Sequence, residues 1–258
     1  MGTTRTSGSL YASRSGALGS IEFGHPASNS LNSDLLARLQ KEIKTFGEDP
    51  SIHTILIQSE GERAFCAGAS FDELMAVSTP ENSTAFFNGF AGLLNTLRNC
   101  PVPVVIRVHG KAVGGGVGLI AACDYALALE SASIRLSEIG IGIAPLVIAP
   151  AVLRKTGASG LAELSLCPGE WKSAYWAQEK GLFARVFQKR SELDLESENF
   201  AAQLARYPRA ALSALKRALW EGTAHWEALL PERAAETGRL ALSPETQQAL
   251  KRFKEKNG

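Results

Sequence analysis

The sequence predicts an α/β domain over about residues 10–190, followed by a helical region over residues 191–258. Short apolar runs rich in β-forming residues alternate with amphipathic helical patterns in the first part. From Leu193 onward every pattern is helical. A length of 258 residues, 45% of them hydrophobic, is enough for a substantial core.

Four runs predict strands, and helical patterns separate or follow them. The strand candidates are "GALGSIEF" (16–23), "HTILIQS" (53–59), "PVVIRV" (103–108) and "YALALE" (125–130). Residues 33–48 place their apolar side chains on one face, and Ser33 is expected to cap this helix. Pro80 suits the first turn of a second helix over 80–99. Four more helices are expected in the stretches 196–207, 209–222, 225–242 and 244–256.

Charge and cysteine usage exclude several classes of protein. Twenty-seven basic and 26 acidic residues give a formal charge of +1, and the cations are spread along the chain. This argues against a nucleic-acid partner or a polybasic membrane anchor. The four cysteines show neither CxxC pairing nor metal-ligand spacing, so no metal site is predicted. No run is apolar enough for a secretory signal or a membrane span, and a cytoplasmic protein is expected.

The stretch "HGKAVGGGVGLIAACD" (109–124) puts a glycine run between a strand and a helix. Glycines at such a turn expose backbone N–H groups, and the helix N-terminus favours negative charge. The stretch matches neither a P-loop nor a Rossmann fingerprint, because Lys111 precedes the glycines and no acidic residue follows at the right distance. Taken alone, the glycines also fit close helix packing.

A second turn of small residues favours a ligand site over packing. "ERAFCAGASFDEL" (62–74) follows the strand at 53–59 and contains Ala67, Gly68 and Ala69. Two such turns can lie side by side at the C-terminal edge of a sheet, where ligands of open α/β sheets bind. Two convergent N–H groups are the usual device for holding a developing oxyanion.

Three blocks resemble the crotonase, or enoyl-CoA hydratase/isomerase, family: "AFCAGASFDEL", "RVHGKAVGGGVGLIAACDYALA" and "ASIRLSEIGIGIAP". "HPASNSLNSDLLARL" resembles the family's opening segment. The resemblance implies a spiral of ββα units with a C-terminal helical trimerisation region, and trimers that pair into hexamers. It implies an acyl-CoA thioester as substrate, with no other cofactor. It also implies that Ala69 and Gly115 donate the two oxyanion N–H groups, with Gly114 beside them.

Two positions set this chain apart from a typical member of that family. Such hydratases use two glutamates; Gly118 stands at the position of the first, and Glu138 matches the second. Enclosure by Leu136, Ile139 and Ile141 would raise the pKa of the Glu138 carboxyl, which suits proton transfer near neutrality. We hypothesise that Gly118 leaves room for a branch at C3 of the substrate or for a water.

The favoured function is hydration of a 2-enoyl-CoA, with Glu138 as the single acid/base. The wording of the glycine and "LSE" blocks is similar to that of bacterial methylglutaconyl-CoA hydratases of leucine breakdown, which suggests a substrate branched at C3. Double-bond isomerisation and dehydration in polyketide β-branching remain alternatives. Binding of acyl-CoA without turnover is a further one, which the presence of Glu138 disfavours.

Four more positions are candidates for substrate contact. Phe71 belongs, with Phe87 and Phe90, to helix-spaced aromatic residues that are typical of a core but could form the acyl-pocket wall. Pro145 ends the third block. The family resemblance suggests that Phe253 and Lys256, one turn apart in the last helix, meet the CoA bound to a neighbouring subunit; a solvated helix end is the competing interpretation.

Overall fold

The computed structural model describes the backbone of residues 8–257 and the side chains of residues 8–255. Its strands are β1 (Ser9–Ser15), β2 (Leu18–Gly24), β3 (Thr54–Ser59), β4 (Ala64–Cys66), β5 (Val104–Val108), β6 (Lys111–Val113), β7 (Tyr125–Leu129), β8 (Ser133–Arg135), β9 (Lys172–Ser173) and β10 (Arg185–Phe187). Its helices are α1 (Ser33–Glu48), α2 (Phe71–Ala76), α3 (Pro80–Asn99), α4 (Gly115–Ala122), α5 (Ala149–Leu166), α6 (Ala174–Glu179), α7 (Arg190–Ala205), α8 (Arg209–Leu219), α9 (Trp226–Ala241) and α10 (Pro244–Asn257), with a 3-10 turn at Glu138–Ile141.

The strands form two sheets, and from β3 to β8 successive strands alternate between them. The six-stranded sheet has the order β1-β2-β3-β5-β7-β10, parallel except for the β1–β2 hairpin. The four-stranded sheet has the order β4-β6-β8-β9 and is parallel except for β9. Each of β3, β5 and β7 is therefore followed by a short strand in the second sheet and then by a helix or helical turn. This arrangement confirms the expected spiral of ββα units.

Strands β3, β5 and β7 are buried on both faces, which explains why they read as unbroken apolar runs. On β3, Ile55 and Ile57 join the main core with α1 and α3, whereas Leu56 points to the opposite face. On that face Leu56 packs in a smaller cluster with Leu193 and Ala201 of α7.

Two local features differ from the expectations. The strand expected at 16–23 is present as β2, but β1 before it was not expected, and Gly16, with a φ of +57°, turns the chain between the two strands. The cap of α1 is Asn32 rather than Ser33, since the Asn32 side chain accepts a hydrogen bond from the Leu35 N–H at 2.8 Å. Pro80 lies in the first turn of α3, as the sequence predicts.

The C-terminal helices fold back onto the α/β core. Helix α9 packs on α3, where Gly238 approaches Ser83 so closely that the Ser83 hydroxyl donates to the Gly238 carbonyl at 2.9 Å. Helix α10 then reaches the 3-10 turn, where the Thr246 hydroxyl donates to the Gly142 carbonyl at 2.7 Å. Trimerisation through this region and a cytoplasmic location stay predictions. Among the described helices, none has the length and apolarity that crossing a bilayer requires.

Candidate active site

Three neighbouring parallel strands deliver the three site segments. In the four-stranded sheet Cys66 pairs with Ala112, and Ala112 pairs with Ile134, so β4, β6 and β8 end at one edge. The chain leaves these strands as the turn at 67–69, the glycine run at 114–116 and the segment that carries Glu138. The sequence analysis placed the two turns directly after the long strands. In the structure they follow the short strands β4 and β6 instead.

The turn after β4 depends on a glycine. Gly68 has a φ of +87°, and a Cβ atom there would lie 2.7 Å from the Val113 carbonyl oxygen and 3.3 Å from the Gly115 nitrogen. A side chain is thus excluded both by backbone conformation and by the neighbouring turn. The two turns are in direct contact, which brings Ala69 and Gly115 to the same place.

A loop in the segment that resembles the family's opening, to which the sequence analysis gave no role, supports this turn. The Ser28 carbonyl accepts a hydrogen bond from the Ala67 N–H at 3.0 Å. Ser28 and Asn29 have φ values of +54° and +56°, and the Asn29 side chain donates to the Glu60 and Ala64 carbonyls at 2.7 and 2.9 Å. Asparagine is enriched in left-handed conformations, so "SNS" was the available signal.

At each position of the run 114–116 a different neighbouring group leaves no room for a side chain. Gly114 has a φ of +52°, and a Cβ atom there would lie 2.7 Å from Oε1 of Glu138. At Gly115 a Cβ would lie 2.3 Å from Cε1 of Phe90, and at Gly116 it would lie 2.6 Å from the Cys66 carbonyl oxygen. The glycines are needed for close packing, and they also leave the backbone of the turn accessible. The interpretation as a packing feature and the interpretation as a ligand site are therefore compatible.

Two backbone N–H groups at this junction have no acceptor among the described residues. They belong to Ala69 and Gly115, whereas the Gly114 N–H donates to the Arg135 carbonyl at 2.9 Å. Hydrogen bonds from Leu31 to the Gly68 carbonyl and from Ser70 to the Leu31 carbonyl hold Ala69 in position. Because Gly115 is also the first residue of α4, the helix dipole favours negative charge at this point.

Glu138 lies next to these N–H groups, at the start of the 3-10 turn. Its Oε2 is buried and has no hydrogen-bond partner in the described part of the chain. Burial raises the pKa of the Glu138 carboxyl to about 7, although the N–H groups of Glu138 and Ser137 and the charge of Arg135 act in the opposite direction. Near neutrality the group can therefore both accept and donate a proton.

The desolvation of Glu138 has a different source from the one we expected. Leu136 is buried and Ile141 is packed against the core, but Ile139 is 47% exposed and encloses nothing. The other residues that shield Glu138 from water are those that line a cavity of about 310 Å³. Its lining residues are Ala67, Gly68, Ala69, Phe71, Leu74, Phe86, Phe87, Phe90, Val113, Gly114, Gly115, Arg135, Ser137, Glu138, Ile141, Ile143, Ala144, Pro145, Leu146, Val147, Ile148, Thr237 and Phe253.

Most candidate residues meet in this cavity. Phe71 lies against Phe253 of α10, with ring centroids 5.3 Å apart, and Pro145 forms part of the wall. The side chain of Lys256 lies outside the described residues. Arg135 and Thr237 were missed, because nothing in their sequence context separates them from ordinary strand and helix residues.

Gly118 is the position at which the structure contradicts our hypothesis. A Cβ atom there would lie 2.3 Å from Cγ2 of Ile148 and 2.7 Å from its Cβ. The space expected for a substrate branch or a water is therefore filled by Ile148, a 4% exposed residue at the start of α5. Gly118 permits the packing of α5 on α4 and is not among the residues that line the cavity.

No cluster of three or more potential metal ligands occurs in the part of the chain that the structure describes. The site combines two backbone N–H donors with one carboxyl group. It can stabilise negative charge on a carbonyl oxygen while the carboxyl moves a proton at a neighbouring carbon.

Comparison with known proteins agrees with this geometry. A family model described as enoyl-CoA hydratase/isomerase matches residues 13–258. YngF of Bacillus subtilis (strain 168) is 30% identical over 198 residues, which are 76% of this chain and 75% of YngF. The mitochondrial methylglutaconyl-CoA hydratase of Homo sapiens is 36% identical over 117 residues, 45% of this chain and 34% of that protein.

Among solved structures, the fold is similar to that of an enoyl-CoA hydratase from Bacillus halodurans. The TM-score is 0.88 at 21% identity, with 94% of this chain and 99% of the other covered. This similarity concerns the fold, and the family match covers nearly the whole sequence. The chain belongs to the enoyl-CoA hydratase/isomerase family of the crotonase superfamily.

Proposed function

We propose that the protein hydrates a 2-enoyl-CoA thioester to the 3-hydroxyacyl-CoA, with Glu138 as its only acid/base. The observation that carries the proposal is the position of the Glu138 carboxyl against Gly114, beside the free N–H groups of Ala69 and Gly115. These two donors would hold the thioester oxygen, on which negative charge develops when water adds to the double bond.

One carboxyl group is sufficient for the proton movements. The Glu138 carboxylate accepts a proton from water while the water oxygen bonds to C3, and the C2–C3 π electrons move onto the thioester as an enolate. The protonated Glu138 then returns that proton to C2, the enolate collapses, and water has been added across one face. A pKa of about 7 suits both half-steps.

For the acyl group we propose a C3-branched chain of the methylglutaconyl type. The similarity to the human methylglutaconyl-CoA hydratase over 117 residues supports this. The cavity of about 310 Å³ is of the size that small-ligand sites have. Gly118 no longer supports the branch, because Ile148 occupies the space beside it.

Double-bond isomerisation is the second candidate. It is favoured by the same single carboxyl, which could remove a proton from C2 and return it at C4. We prefer hydration because one of the similar proteins, the human methylglutaconyl-CoA hydratase, is a hydratase named for the proposed type of substrate.

Product analysis distinguishes these functions. The purified protein is incubated in ¹⁸O-labelled water with a panel of straight and C3-branched 2-enoyl-CoA and 3-enoyl-CoA thioesters, and the products are identified by mass. Hydration predicts a 3-hydroxyacyl-CoA carrying the label, fastest from a branched thioester. A shifted double bond without label would support the isomerase, and CoA binding without any product would contradict both enzymatic functions.

A further inference from the structure

Arg135 lies at the edge of the proposed active site and forms no ion pair with another described residue. It lines the cavity, and its Nε is buried without an acceptor among the described residues. The ion pairs found in the described part of the chain do not include it. Its charge acts on Glu138, but no carboxylate of the described residues forms an ion pair with it, and partial burial of a guanidinium without such a partner is unfavourable.

The guanidinium is held in position by an aromatic ring rather than by a carboxylate. Its Cζ lies 4.6 Å from the centroid of the Trp171 ring, and the Nζ of Lys111 lies 5.0 Å from the same centroid. A ring face attracts the cation through its π electrons and takes up none of its N–H donors. Arg135 is therefore oriented, and its donors remain available for an anion.

The backbone of Arg135 lies beside the proposed reacting centre. Its carbonyl accepts the hydrogen bond from the Gly114 N–H, so β8 carries Arg135 directly past the glycine turn. Three residues later the chain carries Glu138, and among the described residues these two are the only charged ones that line the cavity. The other walls are almost entirely apolar, and a neutral hydrocarbon chain would offer Arg135 no partner.

We propose that Arg135 is an anion subsite of this cavity and that it binds a carboxylate at the far end of the substrate's acyl chain. The inference rests on the proposed function and names the residue that would bind the free carboxylate of a methylglutaconyl-type acyl chain. A carboxylate a few bonds beyond C3 would meet the guanidinium while Glu138 serves C2 and C3. Arg135 would then act in substrate selection and not in proton transfer.

A phosphate of the CoA moiety is the other source of negative charge that a guanidinium could bind. Lys111, exposed and on the same Trp171 ring, provides a matched control for general basicity. The experiment must therefore separate the acyl carboxylate from the nucleotide phosphates, and it must not depend on turnover.

Calorimetric binding of unreactive thioesters meets both conditions. Glutaryl-CoA, its neutral monomethyl ester and CoA are titrated into wild-type protein and into the variants Arg135→Gln, Arg135→Lys and Lys111→Gln. The wild type is expected to bind glutaryl-CoA more tightly than the ester. Arg135→Gln should weaken glutaryl-CoA binding by about 30-fold or more and leave the ester and CoA unchanged. Arg135→Lys should lose less, and Lys111→Gln should bind all three as the wild type does.

Two results would overturn the proposal. Equal weakening of glutaryl-CoA, ester and CoA in Arg135→Gln would assign the arginine to the CoA phosphates. Unchanged binding of all three would make it a structural cation. If the protein binds glutaryl-CoA selectively through Arg135 but hydrates no thioester, the subsite stands and the proposed function fails. Melting temperatures of the variants show whether each one is folded. If Arg135→Gln does not fold, Arg135→Lys, which preserves the charge, is the variant to compare with the wild type.

Discussion

Gly114 lies so close to Glu138 that a Cβ atom on the glycine would be 2.7 Å from the carboxyl Oε1. The backbone that positions one oxyanion donor is therefore packed directly against the group that would move the proton. Neither partner can change without affecting the other, and this coupling leads to the first prediction.

Replacement of Gly114 by alanine should lower turnover by at least about 100-fold, because it displaces the Gly115 N–H and the Glu138 carboxyl together. The positive φ adds a cost of about 1–3 kcal/mol to folding. Gly16→Ala is the matched control, since Gly16 has a φ of +57° and open space around it. A Gly114→Ala protein with unchanged kcat would show that the turn is not part of the site.

Gly118→Glu should destabilise the protein by about 1–3 kcal/mol, because the new side chain meets Ile148 in a packed interface. Ile148→Ala alone should cost about 2–5 kcal/mol by leaving a cavity. The double variant should lose less than the sum, since each change relieves the other. Urea unfolding of all three measures this coupling, and strictly additive losses would mean that Ile148 is not what fills the space at Gly118.

Glu138→Gln should stabilise the protein at alkaline pH while it removes activity. The folded-state pKa of about 7 lies above the ordinary 4.5, so the folded protein binds the extra proton between these values. Wild-type stability is then lost as pH rises through this window. The variant should gain up to about 3 kcal/mol at about pH 8 and little at about pH 4.

Melting temperatures across this pH range check the prediction, with the exposed Glu198→Gln as control. A gain that is the same at acidic and alkaline pH would contradict a raised pKa at Glu138.

Lys216→Met should destabilise the fold by about 3–5 kcal/mol, because the buried Asp124 carboxylate loses its cation and keeps only the hydrogen bonds from the Val104 N–H and the Trp220 indole. Lys216 and Asp124 have side chains only 2% and 6% exposed and lie 2.7 Å apart. Lys172→Met is the contrast: its partner Glu170 is 63% exposed, so the loss should stay within about 1 kcal/mol. Chemical denaturation of both variants measures the loss in free energy of unfolding. Equal losses would contradict the claim that the buried pair contributes more than the exposed one.

The sequence was sufficient to predict the long elements and the order of the site segments. Strands β3, β5 and β7 are apolar on both faces and stand out as runs, and the glycines mark the turns. Gly68 and Gly114 can be read in this way because their conformations are closed to other residues.

Contacts between distant segments could not be predicted from the sequence. Strands β4, β6 and β8 have three residues each, too few for a period, so their residue pattern did not predict them and only the family resemblance implied a second strand in each unit. The contact of Ile148 with Gly118 joins α5 to α4, and nothing at either position signals the other. The proposed role of Arg135 depends on the cavity and on Trp171, and both involve residues distant from Arg135 in the sequence.

The central claim is that Glu138 alone moves the protons of hydration, and the pH dependence of kcat/KM for a C3-branched 2-enoyl-CoA tests it most directly. For the wild type, kcat/KM should rise about tenfold per pH unit and level off above about pH 7, where the carboxylate predominates. Glu138→Gln should bind the thioester normally and lose activity by at least about 100-fold at every pH. A wild-type profile that is flat between about pH 5 and pH 9, or a Glu138→Gln protein that keeps most of its activity, would contradict the claim.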